Sequence, residues 1–246
     1  MNNLATNESS YVCHMNTPEN SNTIITILYE KIQEICRHHS PKELTISFDN
    51  HATGKSYLLL AFFEALVTRW QLLDTVRLFY YIRGHSVNAQ DVSNEPTSRA
   101  FYAMSGYEWL VNPVDVCAVI NSHTNKNVCE YRTTFFDWSS ALVFDSKQLS
   151  GGISDQHVYQ IDREGIQVKE FVESVWRGPY RILQQVKLPP ALAKIPPLSA
   201  AEIKALVYYK DSFHWKKEDM QFVEELIAGK CYSSGILIRR SEFRYF

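Results

Sequence analysis

Three short stretches of this chain carry residue types that could do chemistry. The first is Gly54-Lys55-Ser56, which closes the run Leu44-Thr-Ile-Ser-Phe-Asp-Asn-His-Ala-Thr. Gly-Lys-Ser ahead of an apolar helix is how a phosphate-binding loop ends. Its lysine reaches the phosphates and its serine hydroxyl holds magnesium. Such a loop has another glycine five residues before the last, and that position here is Asp49. A carboxylate there repels phosphate where the backbone should approach it. The segment Ala141-Leu-Val-Phe-Asp145 would supply an apolar strand ending in a metal-facing carboxylate. The plainer account of the same turn is a strand-to-helix connection in which Thr53 or Ser56 caps the first helix amides.

The second stretch is Tyr81-Ile-Arg-Gly84-His85-Ser86-Val-Asn88. A serine two residues after a glycine, just past a buried strand, is where an exposed nucleophile can sit near amides that stabilise an oxyanion. Asn88 stands where a nucleophile elbow has its last glycine. The serine needs an imidazole to take its proton. His123 follows another apolar run and is the best partner, because strand C-terminal ends are where open parallel sheets gather their ligands. A polar loop serine and a surface histidine are the competing account.

The third stretch is Asp155 with Gln167-Val-Lys169, a spacing similar to nuclease metal sites, although strand alternation alone explains Lys169 as an outward charge. His38-His39, with Cys36 and His51, is a poorer ligand set. Adjacent helical residues point about 100° apart, and histidines at a helix C-terminus favour its dipole.

These residues need elements to hold them. Periodicity predicts a strand near Tyr11–Met15 and a helix from Ser21 or Asn22 to about Arg37, with Ile24, Ile27, Leu28, Ile32 and Ile35 at helical spacing. It then predicts a strand at Glu43–Phe48, an all-round apolar helix at Ser56–Trp70 and a strand at Thr75–Ile82. That alternation implies parallel strands joined by helical crossovers. Further on come a helix at Ser98–Trp109 and a buried strand at Val114–Ile120. Phe135–Asp145 is ambiguous between helix and strand. A hairpin spans Val158–Lys169, turning at Arg163-Glu164-Gly165, and a helix follows over Glu170–Gln185. Pro189-Pro190 and Pro196-Pro197 make a stiff connector. Ser199 with Glu202 forms a capping box, and a last helix covers Lys217–Ile227.

The resulting domain reading is a polar tail (1–10), an α/β core (11–187), a proline-rich connector (188–198) and a helical C-terminal extension (199–246). Among 246 residues, 45% are hydrophobic, enough for a sizeable core without staples. Lysine and arginine number 25 against 27 acidic residues, so nonspecific nucleic-acid binding is not expected. No apolar run reaches the roughly 18 residues of a membrane span, and Met1–Ser10 lacks the pattern of a signal peptide. Five scattered cysteines without Cys-x-x-Cys imply reduced thiols and a cytoplasmic setting.

The order of elements from Tyr11 to His123 resembles the ClpP protease and crotonase superfamily. Glu43-Leu-Thr-Ile-Ser-Phe-Asp-Asn sits where that family has its strand and glycine turn. Leu110-Val-Asn-Pro-Val-Asp-Val-Cys-Ala-Val-Ile-Asn-Ser-His123 is similar to the segment leading to its histidine, and Ser199-Ala-Ala-Glu202 to its late helix start. The resemblance implies a mostly parallel sheet with helices packed on it and a serine hydrolase of peptide or acyl bonds. Ser86 would be the nucleophile, His123 the base, and the amides near Gly54 or Gly84 the oxyanion holder, with no cofactor. Ring-forming relatives imply a homo-oligomer, in which the helix at 56–70 would meet a neighbouring subunit. Asn50-His51-Ala52-Thr53 replaces the family's paired glycines, so a catalytically degenerate relative is a companion expectation. A non-catalytic interaction or assembly protein and a nucleotide-binding protein are the other two.

Overall fold

The computed structural model describes residues 8–13, 20–48, 54–81, 116–118, 121–122, 127–132, 134–187, 190–193, 197–212 and 217–228. The chain divides into two compact units. One comprises residues 18–86 and 134–194; the other comprises 1–17, 87–133 and 195–246. One cut, between 194 and 195, falls inside the proline-rich stretch.

The unit built from 18–86 and 134–194 is organised around one helix. Helix α1 (Ser21–His39) starts at Asn20, whose side chain accepts from the Asn22 and Thr23 amides. It stops where Ser40 turns left-handed at φ 44°, with Arg37, His38 and His39 in its last turn. That placement of basic side chains suits the negative end of the dipole. Strand β2 (Glu43–Phe48), helix α2 (Tyr57–Thr68) and strand β3 (Thr75–Tyr80) form one strand-helix-strand unit, with β2 and β3 parallel in register from Glu43↔Thr75 to Phe48↔Tyr80.

Every residue of α2 from Leu59 to Val67 is buried. The helix touches β3 and the hairpin strands β7 (Val158–Asp162) and β8 (Gly165–Lys169). It also touches α1, β6 (Leu142–Phe144) and β10 (Leu183–Val186). An all-round apolar helix is therefore satisfied inside its own unit. Its burial is complete from Leu59 to Val67 without a neighbouring subunit.

The sheet also corrects the sequence reading. Its order is β2-β3-β7-β8-β9, with β9 at Arg177–Tyr180. Only β2–β3 is parallel in it, and the other three pairings are antiparallel. It is a mixed, mostly antiparallel sheet, not the mostly parallel ClpP/crotonase-like one. The neighbour of β3 is the 158–169 hairpin, whose two-residue turn makes β7 and β8 antiparallel to each other, and β7 docks on β3 in the antiparallel sense. Asp162 Oδ1 holds that turn by accepting from the Glu164 and Gly165 amides. The run expected to extend the parallel series, Val114–Ile120, is helical at its described residues 116–118. A short apolar run does not separate the two states by periodicity.

The helix expected over 170–185 is also absent. The chain there makes a turn, then β9 and β10. Gly178 has φ +117°, and a Cβ on it would stand 2.7 Å from the Ile166 carbonyl oxygen. This position demands glycine for close approach of β9 to β8. Phe135–Asp145 resolves into β5 (Phe136–Asp137), a short helix α3 (Trp138–Ala141) and β6. Strand β5 pairs with β11 (Ala191–Leu192), and β6 with β10.

Two buried polar groups tie these pieces together. Thr26 Oγ1 donates to the Asn22 carbonyl (2.8 Å) and accepts from the Phe136 amide and the Trp138 indole (both 3.1 Å). Around it Tyr29, Phe62, Trp70 and Trp138 meet mostly edge to face. Glu64, 1% exposed on α2, accepts from the Ile182 and Leu183 amides at 3.1 and 2.9 Å. Burial pushes its carboxyl above the ordinary value, opposed by those two amides, Arg181 and Arg69.

In the other unit β1 (Glu8–Cys13) pairs parallel with β4 (Asn127–Arg132). Leu198, just ahead of helix α4 (Ala200–Ser212), clusters with Leu226 of helix α5 (Lys217–Ile227), and Ile203 and Leu206 of α4 pack against them. The capping box is present. The Ser199 amide donates to Glu202 Oε2 (2.7 Å), and the Glu202 amide donates to Ser199 Oγ (3.3 Å). Among the described residues no helix is long and apolar enough to cross a membrane.

Two outcomes follow. Thr26→Val leaves the Trp138 indole and the Phe136 amide without their acceptor and is expected to cost about 1–3 kcal/mol in urea unfolding, whereas Thr26→Ser is expected to keep most of it. For Glu64 the folded value lies above 4.5. Its contribution is full below 4.5 and is lost as pH rises through the raised value. Wild-type stability relative to the Glu64→Gln variant, which lacks only this titration, should therefore increase as pH falls from 7 towards 4.5; a constant difference would refute this linkage.

Candidate functional site

Strands β2 and β3 run parallel, so their C-terminal residues Phe48 and Tyr80 lie side by side, with rings stacked at 5.4 Å. The N-terminus of α2 returns to the same edge. The Tyr80 hydroxyl donates to the Gly54 carbonyl at 2.9 Å, and burial pushes that phenol's pKa well up. The hairpin arrives antiparallel, so His157, just ahead of β7, also meets Tyr80. The Tyr80 amide donates to the His157 carbonyl (2.8 Å), and His157 Nδ1 lies 3.3 Å from the Tyr80 carbonyl. Three other chain segments thus converge on one tyrosine of β3.

Lys55 is the charged centre of this rim. Its Nζ donates to the Ser154 carbonyl at 2.7 Å and stands 5.4 Å from the centre of the Tyr80 ring. Partial burial lowers its pKa, and the Asp155 carboxylate works against that shift. Ser56 is the N-cap of α2. Its Oγ accepts from the Leu59 amide (3.2 Å) and from the Ser21 hydroxyl (2.6 Å). The capped-turn account of Ser56 is thus what the geometry displays, while Lys55 reaches across to a loop 99 residues away in sequence. That loop is itself braced. The Tyr159 hydroxyl donates to the Ile153 carbonyl (3.1 Å), and Arg177 Nη2 donates to the buried Gln156 Oε1 (2.6 Å).

The remaining sequence candidates fall elsewhere. Ser86, Gly84, His123, Asp49, His51 and Thr53 lie outside the described residues. Asp145 caps a 3-10 turn, accepting from the Lys147 amide (3.0 Å) and from Gln148 Nε2 (3.2 Å), and the Gln148 bond leads in holding its carboxyl below the usual range. Gln167 and Lys169 share the partly exposed face of β8. Lys169 donates to the Val172 carbonyl (2.9 Å), and Asp155 has Lys55 as its electrostatic partner. His38 and His39 are exposed with rings 6.3 Å apart, while Cys36 Sγ lies 3.8 Å from the Leu72 carbonyl. Among the described residues no group of three His, Cys, Asp or Glu could hold a metal ion. A groove of 380 Å³ lined by Arg69, Trp70, Gln184, Gln185 and Val186 lies at the opposite, C-terminal end of α2.

Residues 2–175 match the model of a protein family, DUF7869. The chain belongs to the DUF7869 family, a domain of unknown function. No curated protein and no solved structure matches it. The DUF7869 segment contains Lys55, Tyr80, Asp155 and His157, and it ends before β9 and Arg177. Tyr80, Ser154, Asp155 and His157 are the rim residues that sequence reasoning did not bring to Lys55. The available signal was weak: the Gly151-Gly152 break just ahead of a hairpin whose first strand had no assigned neighbour.

Ser56→Ala removes the acceptor for the Leu59 amide. It is expected to lower stability by about 0.5–2 kcal/mol, read as a shift in urea midpoint at constant slope, and Ser56→Asp is expected to retain most of the cap.

Proposed function

We propose that this DUF7869 chain binds a phosphate-bearing small molecule, of the nucleotide class, at the rim formed by α2, β2 and β3. The observation that carries this reading is the position of the Lys55 ammonium, beside the Tyr80 ring at the head of α2. An ammonium has three donors, and one is directed to Ser154. Helix geometry leaves the amides of Tyr57 and Leu58 without intrahelical carbonyls, and the α2 dipole is positive at that end. The C-terminal edge of adjacent parallel strands is where strand-helix-strand units take their ligands. Asp155 opposes the downward pull that partial burial exerts on the Lys55 ammonium and offers a carboxylate to a magnesium ion that accompanies such a ligand. Acyl hydrolysis by Ser86 with His123 is the competing chemistry.

Magnesium-ATP is the probe. At 100 times its dissociation constant it should add about 2.7 kcal/mol, read as a rise in melting temperature. Pyrophosphate should compete, and Lys55→Ala should abolish the gain while folding normally by circular dichroism. No rise in the wild type, or an equal rise in Lys55→Ala, overturns the proposal. Labelling of Ser86 by a fluorophosphonate, lost in Ser86→Ala, would favour the hydrolase instead.

A further inference from the structure

The loop that meets Lys55 carries a buried polar side chain that takes no direct part in the rim. Gln156 is 2% exposed, and a buried amide is costly unless it finds a partner. Its Oε1 accepts from Arg177 Nη2 at 2.6 Å. Arg177 opens β9, the edge strand farthest from β2, so this bond fastens the 151–157 loop to the other side of the five-stranded sheet. Gly151, at φ +82°, makes the turn that brings the loop beside the guanidinium. A Cβ there would touch Arg177 Nη1 at 3.4 Å.

Between Gly151 and Gln156 stand the two residues that act on Lys55. The Ser154 carbonyl accepts from its ammonium at 2.7 Å, and the Asp155 carboxylate acts on it electrostatically. A lysine ammonium sits on a flexible stem and its donors rotate freely. One hydrogen bond to a fixed carbonyl stops that rotation and sets the directions of the other two donors. A carbonyl can do this only while its own loop is held. Ser154 and Asp155 are themselves exposed, so burial of their side chains does not hold them. The bonds at Ile153 and Gln156, on either side, do. We infer that Gln156 and Arg177 are positioning residues for Lys55: their bond keeps Ser154 and Asp155 in place against the ammonium. The inference rests on the phosphate reading for its purpose, since the donor directions so fixed are those a phosphate group would meet.

Gln156→Leu removes the acceptor without changing the charge. Arg177→Ala removes the donor from an exposed position, and it carries the test should the buried substitution fail to fold. Acetylation of the full chain by acetic anhydride, read by peptide mass spectrometry, compares Lys55 with Lys42, an exposed lysine just before the opposite end of β2. Either variant should raise labelling of Lys55 relative to Lys42 about fivefold, the size of one hydrogen bond's net contribution. Gln156→Glu keeps an acceptor for Arg177 and should label like the wild type. Magnesium-ATP should bind Gln156→Leu and Arg177→Ala about fivefold more weakly. Unchanged Lys55 labelling in both variants, even with a lowered melting temperature, overturns the inference and leaves the pair a purely structural role. Magnesium-ATP binding of undiminished strength in both overturns it as well. Raised labelling in a protein whose wild type is not stabilised by magnesium-ATP supports the clamp on Lys55 and refutes the phosphate reading alone.

Discussion

The enclosure of α2 is the constraint on which the rest of its unit depends. A helix with no polar face cannot lie on a sheet with its back in water. It must be covered all round, and here β3, β7, β8, α1, β6 and β10 all pack against it. Glu64 shows how strict this is. A carboxylate in the middle of that helix is tolerated because the backbone amides of Ile182 and Leu183 take the place of water. The bend between β9 and β10 is thereby tied to the helix it covers.

Enclosure also explains the sheet. A helix packed beneath three strands needs a third and fourth strand beside β3, and the nearest compact source is a hairpin that carries its own turn. The hairpin arrives antiparallel and brings the 151–157 loop to the C-terminal edge of β2 and β3. The rim around Lys55 is therefore a product of the same packing that buries α2. Tyr80 is the joint. Its ring faces Phe48, Tyr159 and Lys55, its hydroxyl holds Gly54, and its backbone holds His157.

His157 links the rim to the turn that follows β8. Its backbone belongs to the rim, and its ring stacks on Phe171.

Much of the local structure is determined by the sequence alone. The strand at 43–48, the helix from just after Ser56, the strand from Thr75, the hairpin turning at Arg163-Glu164 and the Ser199/Glu202 box all follow from periodicity, capping and turn chemistry. These signals act over a few residues, so they survive without knowledge of the fold. Strand partnership does not. Whether β3 takes a parallel crossover strand or an antiparallel hairpin depends on which apolar face is left uncovered after α2 is buried, a property of the assembled core. The same holds for Lys55. Its residue type and helix-leading position are plain in the sequence. Its neighbours Ser154 and Asp155 come from a loop that only tertiary packing brings within hydrogen-bonding and electrostatic reach.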